Sequence, residues 1–213
     1  MAKPVVYGPA LSTYVRTTRM ALVEKRVDYE LIEVDLLSGG VQSPEHMARH
    51  PFAKVPAFEH DGQMIYETTA ILAYIDRAFP GPALVPADPL LAARTVQIEG
   101  IVNSYLYGRA IGGVVFPLLV APMLGKPADR AAADEALPGV RQAIVAIESL
   151  AADSGRLVTD ERNAADLFLG PIFFYLEAAG VLDGVLTEAP KLRAWWANMA
   201  ASGPMQATAP SFG

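Results

Sequence analysis

Glu67 and Thr68 stand directly in front of a helical apolar pattern. Acidic and hydroxyl side chains in that position hold either the helix's own free N–H groups or a ligand's ammonium and carboxylate. They close the stretch VPAFEHDGQMIYETTAI, residues 55–71, which opens on Val55-Pro56. A cis proline in an extended segment would leave the N–H and C=O of the preceding residue free for an outside backbone. A trans proline there would start an edge strand. Ser12 and Thr13 sit at another helix start, behind the turn signal Gly8-Pro9, with Tyr7 just ahead of it.

These residues need elements to position them. Lys3 to Tyr7 reads as a short strand, and residues 14–26 follow with helical spacing, Val15, Met20, Ala21, Leu22 and Val23 falling roughly on one face. Tyr29 to Val34 alternates as a strand. Ser43-Pro44-Glu45 is a helix start with proline at the first helical position. Pro56–Phe58 and Met64–Tyr66 are short strands around Asp61-Gly62, a hairpin turn signal. Glu67–Phe79 is helical, with Ile71, Leu72, Tyr74 and Ile75 grouped. The order β-α-β-α-β-β-α implies a mixed sheet with helices packed on it.

Prolines 80, 82, 86 and 89 and Gly81 mark a linker over 81–89. Beyond it lie helical stretches only: Ala92–Leu119, Ala128–Ala152, Ala164–Ala179 and Pro190–Ala201. Pro138 is expected to kink or break the second of these. Asn163-Ala-Ala-Asp166 reads as a capping-box variant. Gly203–Gly213 is loop-like. The expected architecture is an α/β domain over 1–80 and an all-α domain over 90–213.

With 213 residues, 52% hydrophobic and 19% charged, the chain can bury a sizeable core. A net charge of -6 argues against a nucleic-acid backbone and against anionic membrane as partners. There is no cysteine, so a disulfide, a thiolate metal site and a cysteine nucleophile are excluded. The histidines, at 46, 50 and 60, lack metal-ligand spacing with carboxylates, and no metal is expected. The N-terminal MAKPVVYG lacks the apolar core of a signal peptide. The uncharged run Ala110–Gly125 is shorter than the roughly 20 residues of a membrane span and carries Pro117 and Pro122. It reads as a buried core or interface helix in a cytoplasmic protein.

The motifs PFAKVPAF (51–58), YETTAILAYI (66–75) and NAADL (163–167) occur in that order. On them the whole chain resembles the glutathione transferase superfamily, in its serine-type, phi/theta-like form. The resemblance implies a thioredoxin-like first domain, glutathione as co-substrate without a metal, and a homodimer. It implies that the main chain of Val55, ahead of Pro56, pairs with the cysteinyl backbone of glutathione. Glu67 would take its ammonium, and Thr68, where the family usually has serine, its carboxylate. Lys54 and Gln42 are the candidates for the glycyl end. Val41-Gln42 stands where a phi-like pattern would have His-Lys. Leu11, Tyr105, Tyr107, Arg109 and Phe116 would line the electrophile pocket, with Phe212 a further candidate.

The resemblance makes Ser12 the catalytic candidate, with Tyr7 and Thr13 as alternatives. A free thiol titrates near 8.5, and lowering that by about two pH units needs roughly 2.7 kcal/mol. One charge-assisted hydrogen bond supplies about 1.5–3 kcal/mol, and a helix N-terminus adds about 0.3–1. A single hydroxyl at this place is therefore enough; Arg16, one turn on, is either a support for the field or, as the more ordinary reading, a solvated helix arginine. The expected function is conjugation of glutathione to apolar electrophiles, as in detoxification. The alternatives are a glutathione-dependent lyase (etherase or dehalogenase) and a non-catalytic glutathione carrier of the same fold. Family members that exchange thiols use a cysteine in place of Ser12, so disulfide reduction is excluded.

Overall fold

The computed structural model describes residues 2–36 and 38–210; Phe212 lies outside them. The chain divides into two compact units. One holds the residues up to Leu84 together with the tail from Ser202, and the other is Val85–Ala201. The domain bounds expected from the sequence, 1–80 and 90–213, place that tail with the helical portion.

The first unit carries strands β1 (Val5–Tyr7), β2 (Glu30–Ile32), β3 (Ala57–His60) and β4 (Gln63–Tyr66) in the order β2-β1-β3-β4. β1 pairs parallel with β2 and antiparallel with β3, and β3 antiparallel with β4. Helix α1 (Thr13–Glu24) makes the crossover that a parallel β1/β2 pair requires. Helices α2 (Pro44–Arg49) and α3 (Thr68–Ala78) precede and follow the hairpin. The hairpin turns at Asp61 (φ 48°) and Gly62 (φ 75°), both left-handed, as a tight two-residue turn demands.

Side chains alternate across the sheet. Val6 and Phe58, partners across β1 and β3, are fully buried on one face. Tyr7, Ala57 and Val34 form a cluster on the other, with Val5, Val41 and Val55 packed against it. α1 packs against α3, and Val15, Met20, Leu22, Ile71 and Ile75 are all fully buried. Val23, placed on the same face by its spacing, is half-buried.

The tail corrects the sequence reading: Gly203–Ala207 is a short helix, α10, not a loop, and it packs against α1. The tie is Arg16, which is only 1% exposed. Its Nη2 donates to Met205 O at 2.8 Å and its Nε to Thr208 Oγ1 at 3.3 Å.

In the second unit α4 (Pro89–Ile101) begins one residue after its cap. Asp88 Oδ1 accepts from the N–H groups of Leu90 and Leu91, both at 2.9 Å. Pro89, expected in the linker, is thus a first helical residue, where a missing N–H costs nothing. The stretch expected as helix, kinked or ended by Pro117 and Pro122, opens into wide turns over Val102–Leu106 and Gly108–Val120. There the N–H of Tyr107 bonds Val102 O and that of Ala121 bonds Phe116 O, five residues back rather than four. Pro117 lies inside this run, where it has no N–H to give to the helical ladder.

α5 (Ala121–Met123) closes the run, and α6 (Arg130–Glu148) continues unbroken through Pro138. α7 (Ala164–Ala178) is buried over most of its length, and α8 (Leu182–Val185) and α9 (Pro190–Ala200) complete the unit. The capping box forms: Asn163 Oδ1 accepts from Ala165 N–H at 3.1 Å, and Asp166 Oδ2 accepts from Asn163 N–H at 2.9 Å. Asp166 Oδ1 also accepts from Trp195 Nε1 at 2.7 Å, joining α7 to α9. Among the described residues no single helix is long and apolar enough to cross a membrane.

Candidate functional site

Ser12 is the N-cap of α1. Its chain enters extended (φ -71°, ψ 132°), and its Oγ accepts a long 3.4 Å bond from Val15 N–H. That bond uses a lone pair of the hydroxyl and leaves the hydrogen without an acceptor among the described residues. Ser12 is half-buried and stands at the positive end of the helix. Leu11 beside it is exposed.

Tyr7 is arranged differently. Its hydroxyl donates to Glu59 Oε2 at 2.7 Å, and the Arg49 guanidinium lies 4.2 Å over its ring. Burial pushes the phenol above its ordinary value, and the Glu59 carboxylate adds to that against the opposing pull of Arg49. Thr13, the first residue of α1, is 5% exposed, and its Oγ1 is buried with no partner among the described residues.

The Val55–Pro56 peptide is cis. Val55 is half-buried just ahead of β3, and among the described residues its own N–H and C=O are unpaired. Gly8 brings the Val55 loop close to α1. At φ 145°, a methyl group on Gly8 would lie 2.5 Å from Val15 Cγ2 and 3.0 Å from Val55 Cβ, so only glycine fits.

Glu67 caps α3 in name only. It sits at φ 70°, ψ 115°, and its side chain makes no capping bond. Left-handed backbone on a residue with a side chain is strained, and such strain gathers at ligand clamps. The exposed carboxylate has no hydrogen bond or ion pair among the described residues. Thr68 follows as the first helical residue, half-buried. The site therefore offers an uncommitted anion beside a hydroxyl and free helix N–H groups, a matched pair for an ammonium and a carboxylate.

Lys54 and Gln42 are both exposed, and neither side chain is engaged among the described residues. Gln42 ends a single tight turn, Gly40–Gln42. In the helical unit Tyr105 is 61% and Phe116 44% exposed, and Tyr107 is half-buried. Arg109 Nη1 donates to Tyr105 O at 2.9 Å.

Sequence reasoning gave no role to Glu59, Arg49, His46 or His50. His46 lies in α2 and His50 is the extended residue that caps its C-terminus; both are buried, at 1% and 3% exposed. Their spacing was legible, but their partners are not: His46 Nε2 lies 2.8 Å from Lys54 O, and His50 packs on Tyr66. Burial holds the His50 imidazole below its ordinary value, against the raising effect of the Glu67 charge.

The chain matches the sequence profile "Glutathione S-transferase, N-terminal domain" over residues 5–77 and "Glutathione S-transferase, C-terminal domain" over residues 110–202. It is 30% identical over 199 residues to the probable glutathione S-transferase GSTF1 of Oryza sativa subsp. japonica, covering 92% of this chain and 90% of that one. Glutathione transferase F7 from Populus trichocarpa shares its fold with a TM-score of 0.83 at 29% identity, covering 97% of each chain. Glutathione S-transferase I from mais, in complex with an atrazine glutathione conjugate, has a TM-score of 0.81 at 27% identity, covering 97% of this chain and 96% of that one.

Proposed function

The chain belongs to the glutathione S-transferase family, and on that footing we propose how its residues divide the work of a glutathione transferase. Ser12 holds the thiol of glutathione as thiolate. The observation that carries this is the contrast with Tyr7: the Ser12 hydroxyl hydrogen is uncommitted, while that of Tyr7 is bonded to Glu59. Thr13 Oγ1 is sealed from solvent and cannot meet an incoming sulfur. The sulfhydryl proton leaves to water, and the sulfur stays anionic against the Ser12 O–H and the α1 N-terminus. The thiolate then forms an S–C bond to the electrophile. A leaving group departs with its electron pair, or an activated alkene takes up a proton.

The tripeptide is gripped along its length. Val55 N–H and C=O pair with the cysteinyl backbone in the manner of an added strand. Glu67 receives the γ-glutamyl ammonium, and Thr68 with the first N–H groups of α3 receives its carboxylate. Lys54 and Gln42 serve the glycyl end. Tyr105, Tyr107, Arg109, Phe116 and Leu11 serve the electrophile, with the exposed Tyr105 and Phe116 rings offering apolar surface.

The working form is a homodimer. Phe52 is 65% exposed and makes ring contacts with His50 and Tyr66, which gives the first unit an uncovered aromatic patch. The reaction draws on reduced glutathione, which a reducing cytoplasm maintains, and it serves the removal of reactive apolar compounds.

The deciding experiment is spectrophotometric conjugation of glutathione to an aryl halide and to an activated alkene. Turnover that requires glutathione is expected. Retention on immobilised glutathione with no turnover on either electrophile would replace the transferase by a carrier.

A further inference from the structure

His46 is a buried imidazole on α2 whose ring Nε2 lies 2.8 Å from the carbonyl oxygen of Lys54. A carbonyl only accepts, so Nε2 carries the hydrogen. In the neutral ring Nδ1 is then a bare acceptor, and it is buried without a partner among the described residues. The chain tolerates an orphaned acceptor to keep this one bond. The His46 backbone is anchored as well, and its ring has an aromatic neighbour. The His46 main-chain N–H donates to Ser43 Oγ at 3.1 Å. The His50 ring stacks on it, with centroids 6.5 Å apart at 16°, and packs in turn on Tyr66 at 5.1 Å.

Lys54 C=O and Val55 N–H are two ends of one peptide unit. That unit is trans, the cis bond being the next one, Val55–Pro56. In a planar trans peptide the C=O and the N–H point in opposite directions. Fixing the oxygen toward His46 therefore aims the Val55 N–H away from α2. A bond accepted at the oxygen also polarises the unit and strengthens its N–H as a donor.

We propose that His46 is a positioning residue for glutathione: through the Lys54 carbonyl it sets the plane of the Lys54–Val55 peptide and so aims the Val55 N–H at the cysteinyl carbonyl of the tripeptide. This rests on the reading of Val55 as the main-chain clamp. His46 touches neither glutathione nor the electrophile.

The test compares the full-length wild type with H46L and H46Q, since the glutamine amide nitrogen can stand where Nε2 stands. For H46L the KM for glutathione rises about ten-fold, the worth of one hydrogen bond. The KM for the electrophile, at saturating glutathione, stays within about two-fold. H46Q recovers most of the loss. An unchanged glutathione KM in H46L overturns the proposal, and so does an equal rise in both KM values without rescue by glutamine. A second measurement needs no variant: 15N spectra of the ligand-free wild type should show His46 as the Nε2–H tautomer, and the Nδ1–H tautomer overturns the proposal even if H46L fails to fold. Wild type that does not bind glutathione sinks the Val55 reading and this one with it. Wild type that binds while H46L binds equally well sinks only the role of His46.

Discussion

The Tyr7 phenol gives its hydrogen to Glu59 over 2.7 Å, whereas the Ser12 hydroxyl hydrogen has no acceptor among the described residues. Loss of the phenol should therefore cost stability, about 1–2 kcal/mol, and leave the chemistry in place. In Y7F the pH profile of kcat/KM should match wild type. In S12A turnover should fall about 10- to 100-fold, and the apparent pKa of kcat/KM should climb toward the free-thiol value near 8.5. The thiolate is the active form, so the deficit of S12A should be larger at low pH than at high pH. A profile that moves in Y7F and not in S12A exchanges the two roles.

Thr208 Oγ1 accepts from Arg16 Nε at 3.3 Å and donates to Pro204 O at 2.7 Å in a fully buried setting. T208V keeps the shape and removes both bonds. Urea unfolding should show a loss of about 1–3 kcal/mol. A midpoint equal to wild type would mean that the tail contributes nothing to the first unit.

Glu99 on α4 is 5% exposed, and burial pushes its carboxyl up to about 7 from an ordinary 4.5. Between those values the folded chain keeps a proton that the unfolded chain releases. The stabilisation from neutral Glu99 is therefore whole below pH 4.5 and is lost as pH rises through about 7. E99Q stays neutral at every pH. At about pH 8 it should be more stable than wild type by about 2–3 kcal/mol, with the gap closing in acid. Parallel stability curves for the two proteins would show that Glu99 does not titrate in this window.

Phe52 should be worth roughly 1.5–3 kcal/mol in a dimer contact that covers its ring. Light scattering on dilute F52S should report monomer where wild type reports dimer. A dimer that persists unchanged would move the contact to another surface.

The legible parts of the sequence were those with local causes. Ser12, Ser43-Pro44, Asp61-Gly62 and the Asn163–Asp166 box each complete their structure within a few residues. The thiol-side candidates could be named, but not ranked by physics, because what separates Tyr7 from Ser12 is Glu59, on a neighbouring strand. The tail looked like a loop because its glycine and proline content speaks against helix, while its anchor, Arg16, is 192 residues away from Thr208 in the chain. The wide turns of 102–120 were hidden for a different reason: an apolar run with one proline has the same composition whether its bonds span four residues or five.

Gly8 gives this site its internal scale. The helix that Ser12 caps and the loop that would hold the peptide backbone approach until a single methyl group could not fit between them. The reach from clamp to sulfur is then a constant of the scaffold, fixed by an atom that is missing. A ligand one bond longer or shorter between its backbone and its thiol would be gripped correctly and presented in the wrong place. On the proposed reading, selection for the cysteinyl side chain thus needs no pocket of its own.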